Sequence, residues 1–285
     1  MKNILIQLDT DPLPSVFDRV VAVDADVDHL FSYGGVTPDS VESLVHGALF
    51  TRGPKELAHT AIFVGGSNVA AGEAVLKKVC RTFFGPMRVS VMMDSNGSNT
   101  TAAAAVLACR KHVPLAGTHV LVLAGTGPVG HRAAQILAAE GAEVRVASRT
   151  RDKAEQTCFA IAKVLSAARI TPVATGTDAE LAEACDGVSL IIAAGAAGIE
   201  LLSAERRANL KSLKVAVDLN AVPPLGIGGV DVMDKAKDRD GQLCYGAIGV
   251  GGTKMKIHRA AVARLFESND QVLDTASIYA IGQSL

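Results

Sequence analysis

Two stretches hold the residue types and spacing for chemistry: a glycine turn at 125–130 and a polar run at 94–101. Val120 to Leu123 is an apolar run of strand length. Gly125, Thr126, Gly127, Pro128, Val129 and Gly130 follow, and then a helical pattern over 128–140 and a second strand-like run over 142–147. In a dinucleotide site the first glycine permits a tight turn and the second lets the backbone approach a pyrophosphate. The third lets the helix pack closely on the strand. Helix N-terminal N–H groups face the phosphates, and the dipole favours their charge. Pro128 fits the first turn, where its missing N–H costs nothing. The spacing predicts a nucleotide site.

The end of the second strand decides which nucleotide. An NAD site places a carboxylate about 20 residues on, to hold the ribose 2′-hydroxyl. This chain has Val146-Ala147-Ser148-Arg149-Thr150-Arg151 there. A carboxylate would repel a 2′-phosphate, whereas an arginine offers it a fork of donors. The expected cofactor is NADP, with Ser148, Arg149 and Arg151 at the phosphate. Ala194 and Asn220, just beyond two later strands of the same domain, are expected on the cofactor side because ligands gather past the carboxyl ends of such strands.

The run Asp94-Ser95-Asn96-Gly97-Ser98-Asn99-Thr100-Thr101 stands between an expected strand over 88–93 and an alanine-rich helix over 102–111. Asn and Thr cap helices, and Asp and Asn favour turns. Those roles account for about half of the run, and the remainder is expected to meet a substrate. A third group, Thr253 to Arg259, carries Lys254, Lys256, His258 and Arg259. Read as the start of a helix after the loop Gly249 to Gly252, it opposes the helix dipole. It therefore calls for an acidic neighbour, a cofactor phosphate or an anionic substrate tail.

The elements that position these groups alternate strand and helix throughout, which predicts an α/β fold of two lobes with mostly parallel sheets. Strands are expected over 2–8, 60–64, 88–93, 170–174, 188–193 and 214–219. Helices are expected over 15–23, 37–49, 70–83, 152–168, 178–185, 254–266 and 274–281. The segment 112–117 reads as a linker. Residues 1–112 with 254–285 are then the substrate domain, and 113–253 a Rossmann-type NADP domain, with the active-site cleft between them. The chain is long enough for two such cores.

A net charge of −1, without a basic stripe, argues against nucleic acid. No apolar run reaches the roughly 18 residues of a membrane span. Five scattered cysteines with no metal-ligand spacing read as reduced thiols in a cytoplasm, and no metal site is expected. The abundance of small apolar residues suggests a homo-oligomer.

The chain resembles the methylene-tetrahydromethanopterin dehydrogenases of bacterial one-carbon metabolism along nearly its whole length. The resemblance is carried by Asp9-Thr10-Asp11, Pro14 to Asp18, Val36 to Asp39, Thr60 to Gly66, Phe83 to Pro86, Asp94 to Ala104, Ala124 to Gly130, Pro223 to Gly229, Lys254 and Leu265 to Ser268. It implies two α/β lobes and reversible hydride transfer from the methylene group of a reduced pterin carrier to NADP. It also implies Asp94, Thr100, Thr101 and Lys254 as the active-site set. Phe17, Asp18 and Tyr33, with Asn96 and Lys256, are implied contacts of the small-molecule carrier. Members of the family differ in accepting tetrahydromethanopterin, tetrahydrofolate or both. The Tyr-x-x-x-Lys arrangement of related cyclohydrolases is absent, so dehydrogenase activity alone is expected. A dehydrogenase of another small substrate on the same plan, and a non-catalytic NADP-binding protein, remain alternatives.

Overall fold

Strand and helix alternate through the chain to build two separate sheets. The computed structural model describes all 285 residues. It divides into one unit of Met1–Thr100 with Met255–Leu285 and a second of Thr101–Lys254. The chain passes from one unit to the other inside helices, while the segment 112–117 lies within the second unit. No helix is long and apolar enough to cross a membrane.

The first unit runs β1 (Ile4–Asp9), α1 (Val16–Asp24), β2 (His29–Tyr33), α2 (Val41–Phe50), β3 (Thr60–Gly65), α3 (Val69–Thr82), β4 (Ser90–Met93) and the start of α4 (Ser98–Arg110). The second runs β5 (His119–Leu123), α5 (Pro128–Ala139), β6 (Glu143–Ser148), α6 (Arg151–Val164), β7 (Arg169–Ala174), α7 (Asp178–Cys185), β8 (Leu190–Ala193), α8 (Ala204–Asn209), β9 (Val215–Asp218), β10 (Lys235–Arg239), β11 (Gln242–Tyr245) and the start of α9 (Ala247–Arg264). β12 (Val272–Leu273) and α10 (Thr275–Gln283) return to the first.

The first sheet has the order β12-β4-β3-β1-β2, every pairing parallel. Its central strands are covered on both faces, so they read as unbroken apolar runs. Ile6, Leu8, Ile62, Val64 and Val91 pack there against Val45 and Leu49 of α2 and Val75 and Val79 of α3. The strand order reverses between β1 and β3. In the second sheet the order is β10-β11-β9-β8-β5-β6-β7, and only β10 runs antiparallel to its neighbour. Counting from β5, the parallel strands follow the Rossmann order 3-2-1-4-5-6, with the switch between β5 and β8.

Several elements depart from expectation for local reasons. β2 is an edge strand that turns His29, Phe31 and Tyr33 outward, so its pattern lacks an apolar inner face. Helix α2 begins at Val41, because the Thr37 N–H donates to the Ser40 hydroxyl at 3.0 Å and closes a separate turn around Pro38. Helix α4 begins at Ser98, inside the polar run. Helix α9 begins at Ala247, so Gly249 to Gly252 are helical rather than a loop. Glycine costs about 1 kcal/mol against alanine in a helix; at Gly249, and at Gly246 just before the helix, the close approach of residues 231–234 demands it, whereas Gly251 and Gly252 have open space around them. A Cβ on Gly246 would stand 2.0 Å from the Asp231 carbonyl oxygen, and one on Gly249 1.8 Å from that of Asp234. The basic run therefore lies in mid-helix, beyond the first turn where the dipole acts, and the electrostatic conflict expected there does not arise.

Candidate active site

After β5 the chain turns through Ala124, which adopts a left-handed conformation at φ 52°. The Gly125 N–H donates to the Ala147 carbonyl at 2.8 Å and the Ala194 N–H to that of Leu123 at 3.1 Å, joining the ends of β5, β6 and β8. The three glycines of the turn are not equivalent. A Cβ at Gly125 would lie 2.8 Å from a Val146 methyl and 3.0 Å from the Val122 carbonyl oxygen. At Gly130 it would lie 2.7 Å from the Ala124 carbonyl oxygen and 2.8 Å from the Gly125 Cα. These two glycines are required by the chain's own packing. At Gly127 the nearest atoms would be the Ala124 and Ala194 carbonyl oxygens at 3.5 and 3.6 Å, ordinary contact distances, and φ is −73°. The fold would accept a side chain there. Gly127 is also the N-cap of α5 and gives that helix no side-chain cap; Pro128 stands at its first position. A bare backbone at an uncapped helix start suits an anion. Thr126 and Val129 are half-buried beside it.

At the end of β6, Ser148 is buried, whereas Arg149 and Arg151 are exposed. Arg151 opens α6 and pairs with Glu155 one turn on, at 3.0 Å. Ala194 is half-buried past β8. Asn220 is buried and held by its own loop: its amide oxygen accepts from the Val222 N–H at 2.9 Å and its amide donates to the Pro224 carbonyl at 3.1 Å. The buried Asp218 organises that loop by accepting the Asn220 and Ile227 N–H groups at 3.0 and 2.9 Å. Burial pushes its carboxyl above the ordinary value, although backbone donors from Asn220, Ile227 and Gly226 pull the other way. Nothing in the sequence pattern singled out Asp218 for this role.

In the first unit, Asp94 directly follows β4 and is buried. One carboxylate oxygen accepts the Asn99 and Thr100 N–H groups at 2.8 and 3.1 Å, and the other accepts the Thr100 hydroxyl at 2.6 Å. Its negative charge thus sits on the first turn of α4, where the dipole favours it. Asn99 bonds the Met93 carbonyl and accepts from Thr275, each at 2.7 Å, tying α4 to β4 and α10. Thr101 is half-buried and Asn96 exposed, at φ 55°. Most of the polar run therefore builds the start of α4.

At the β1/β3 switch point, Asp9 accepts the Asp11 and Ser15 N–H groups, and Asp11 accepts the Ser67 N–H and hydroxyl at 2.9 Å each. Phe17 and Asp18 occupy the first turn of α1, with Phe17 half-exposed. Tyr33 is exposed at the end of β2. On α9, Lys254 is half-buried and Lys256 exposed. His258, counted in the sequence as one of four basic groups, is fully buried. Its helical spacing to the buried Ala261, Val262 and Leu265 was the signal for that.

The second unit is thus a Rossmann-type domain with its glycine turn intact, in a chain that pairs it with a second parallel α/β unit. Shikimate 5-dehydrogenase from Listeria monocytogenes shares this fold, with a TM-score of 0.54, 12 % identity and 98 % and 96 % of the two chains covered. A family model, that of the N-terminal part of methylene-tetrahydromethanopterin dehydrogenase, matches residues 16–96. The bifunctional protein MdtA of Methylorubrum extorquens is 49 % identical over 100 % of this chain and 99 % of its own. The NAD(P)-dependent methylenetetrahydromethanopterin dehydrogenase of the same organism is 31 % identical over 93 % of this chain and 92 % of its own. The chain belongs to the methylene-tetrahydromethanopterin dehydrogenase family.

Proposed function

We propose that the protein is an NADP-dependent methylene-tetrahydromethanopterin dehydrogenase, passing hydride reversibly between the methylene carbon of the reduced pterin carrier and NADP. The observation that carries the reading is Gly127, a glycine that the fold does not need but a pyrophosphate would. The residues fit the cofactor: Gly127, Val129 and Gly130 would take its phosphates at the start of α5. Arg149, exposed at the end of β6, would take the 2′-phosphate. When bound, the nicotinamide supplies the hydride acceptor.

The chain's own part is orientation and charge. Loss of hydride from an N–CH2–N bridge leaves a cation shared by two nitrogens, so no strong base is needed. Asp94 suits this, since its oxygens are held by α4 and a carboxylate there would favour the developing cation. Thr100 holds Asp94, and Thr101 and Asn96 extend the same polar edge. Lys254 and Lys256 position the carrier through its oxygens, and Phe17, Asp18 and Tyr33 receive its pterin. Holding the two reacting carbons in near-attack geometry does the rest.

The name of the MdtA relative marks that protein as bifunctional. For this chain the corresponding second reading is turnover of methylene-tetrahydrofolate as well, because the Tyr-x-x-x-Lys arrangement of a cyclohydrolase is absent. The reading includes a cytoplasmic homo-oligomer, to be checked by light scattering. The deciding experiment follows reduced-nicotinamide absorbance with both methylene carriers and both nucleotides. Reduction of NADP with the tetrahydromethanopterin carrier is expected; no reduction with either carrier ends the proposal.

A further inference from the structure

Three rings stand in a row from the interior of the first unit to its surface. Phe63 of β3 is buried in the sheet. The imidazole of His258 on α9 stacks on it, with centroids 5.6 Å apart and planes 19° from parallel. Beyond it lies Phe17 of α1, 6.2 Å from the imidazole at 34°. His258 has no exposure and Phe17 is 48 % exposed, so the series runs from a buried ring to a half-exposed one. Gly65 keeps this end of β3 clear: a Cβ there would come 3.2 Å from the Phe63 ring and 3.5 Å from an Asp18 carboxylate oxygen.

A phenylalanine half in water on the first turn of a helix gains little from burial and has several rotamers open to it. Here a flat neighbour, itself fixed by a buried ring, backs one face. Both spacings fall in the range where aromatic pairs attract. We infer that His258 is a positioning residue for carrier binding: it holds the Phe17 ring as the platform on which the flat heterocycle of the carrier stacks as a fourth layer. Asp18, next in the chain, is the acceptor for that heterocycle's N–H and amino donors. The inference rests on the reading of Phe17 as a carrier contact. An aliphatic side chain at 258 would fill the space but give Phe17 no flat wall, so the ring would lose its fixed orientation.

The test uses the full chain with His258→Leu, His258→Phe, Phe17→Leu and the double variant His258→Leu/Phe17→Leu. NADP affinity and the thermal midpoint of each serve as controls. His258→Leu should raise the KM for the methylene carrier about three- to tenfold, the worth of one aromatic contact, with a smaller change in kcat and unchanged NADP affinity. His258→Phe should restore the KM. The double variant should be no worse than Phe17→Leu, because His258 acts through that ring. Additive effects, or an unmoved KM in a folded, NADP-binding His258→Leu protein, overturn the inference. Should His258→Leu not fold, His258→Phe decides: a KM near wild type supports the ring requirement, and a tenfold rise overturns it. Absence of turnover by the wild-type protein with either carrier overturns the functional reading and this inference together, whereas normal wild-type turnover with unmoved variants removes the role of His258 alone.

Discussion

Alanine at Gly127 and alanine at Gly130 should separate cofactor binding from folding. At Gly127 the backbone lies at φ −73°, ψ 166°, open to any residue, and the added methyl meets its nearest neighbours at 3.5 and 3.6 Å. Replacing a glycine N-cap by alanine costs about 0.5–1 kcal/mol, and restricting the unfolded chain returns about 0.4–1 kcal/mol. Gly127→Ala should therefore leave stability within about 1 kcal/mol of wild type. The same methyl would stand between the turn and the pyrophosphate. Losing one charge-assisted N–H contact is worth about 1.5–3 kcal/mol, or roughly a ten- to hundredfold rise in the NADP dissociation constant.

Gly130→Ala should do the reverse in order of magnitude. Its methyl would lie 2.7 Å from the Ala124 carbonyl oxygen and 2.8 Å from the Gly125 Cα, both backbone atoms that cannot swing aside. Forcing α5 off the turn should cost about 1–3 kcal/mol of stability, with binding lost as a consequence. Urea unfolding of the ligand-free variants and calorimetric titration with NADP supply the two readings. Wild-type NADP affinity in a fully folded Gly127→Ala protein would show that no pyrophosphate approaches this backbone.

Arg149→Ala should raise the KM for NADP by roughly ten- to hundredfold, the worth of a charge-assisted contact, and leave that for NAD within about twofold; equal rises in initial-rate assays would remove Arg149 from the 2′-phosphate. Burial pushes the thiols of Cys109 up to about 12 and of Cys158 and Cys244 to about 11, so all three should stay protonated and unreactive to a thiol reagent at neutral pH until denaturant is added; rapid native-state labelling counted by mass spectrometry would contradict this. Burial raises Asp234, but the Arg239 fork at 2.5 and 2.8 Å outweighs it and holds the carboxyl below its ordinary 3.8. A depressed folded value gives stability that is present above the unfolded value and lost as pH falls through the folded one. Arg239→Ala should thus cost about 1–2 kcal/mol at neutral pH and progressively less below 3.8; a pH-independent difference in unfolding curves would refute the pairing.

The reach of the sequence can be judged element by element. Residues 120–147 were legible because each requirement there is local: an apolar run, glycines where backbones nearly touch, a proline where no N–H is needed. Their packing gives Gly125 and Gly130 each a steric reason to be glycine, whereas Gly127 has none within the chain. β2 and β10 were not legible, because an edge strand with one partner need not show an apolar face; β11, which has two partners, is only four residues long and begins with Gln242. The start of α9 was misjudged for a non-local reason: Gly246 and Gly249 are glycines because residues 231–234 press on them. The polar run after β4 was legible in composition but not in its structural share: Asp94, Asn99 and Thr100 also carry hydrogen bonds within α4, to β4 and to α10. A carboxylate fixed in this way has little freedom to act as a base, and a hydride transfer that creates a delocalised cation requires none. The local use of these side chains and the proposed chemistry therefore lead to one test. Asp94→Asn should keep the side-chain volume; with its amide oxygen on the Asn99 and Thr100 N–H groups, its amide N–H would meet the Thr100 hydroxyl, which must turn from donor to acceptor, costing about 1 kcal/mol of stability. Removing the charge beside the cation should also lower kcat by at least tenfold, about 1.4 kcal/mol in the barrier. A folded but less stable Asp94→Asn protein with wild-type kcat would separate Asp94 from the reaction and leave it as the anchor of α4.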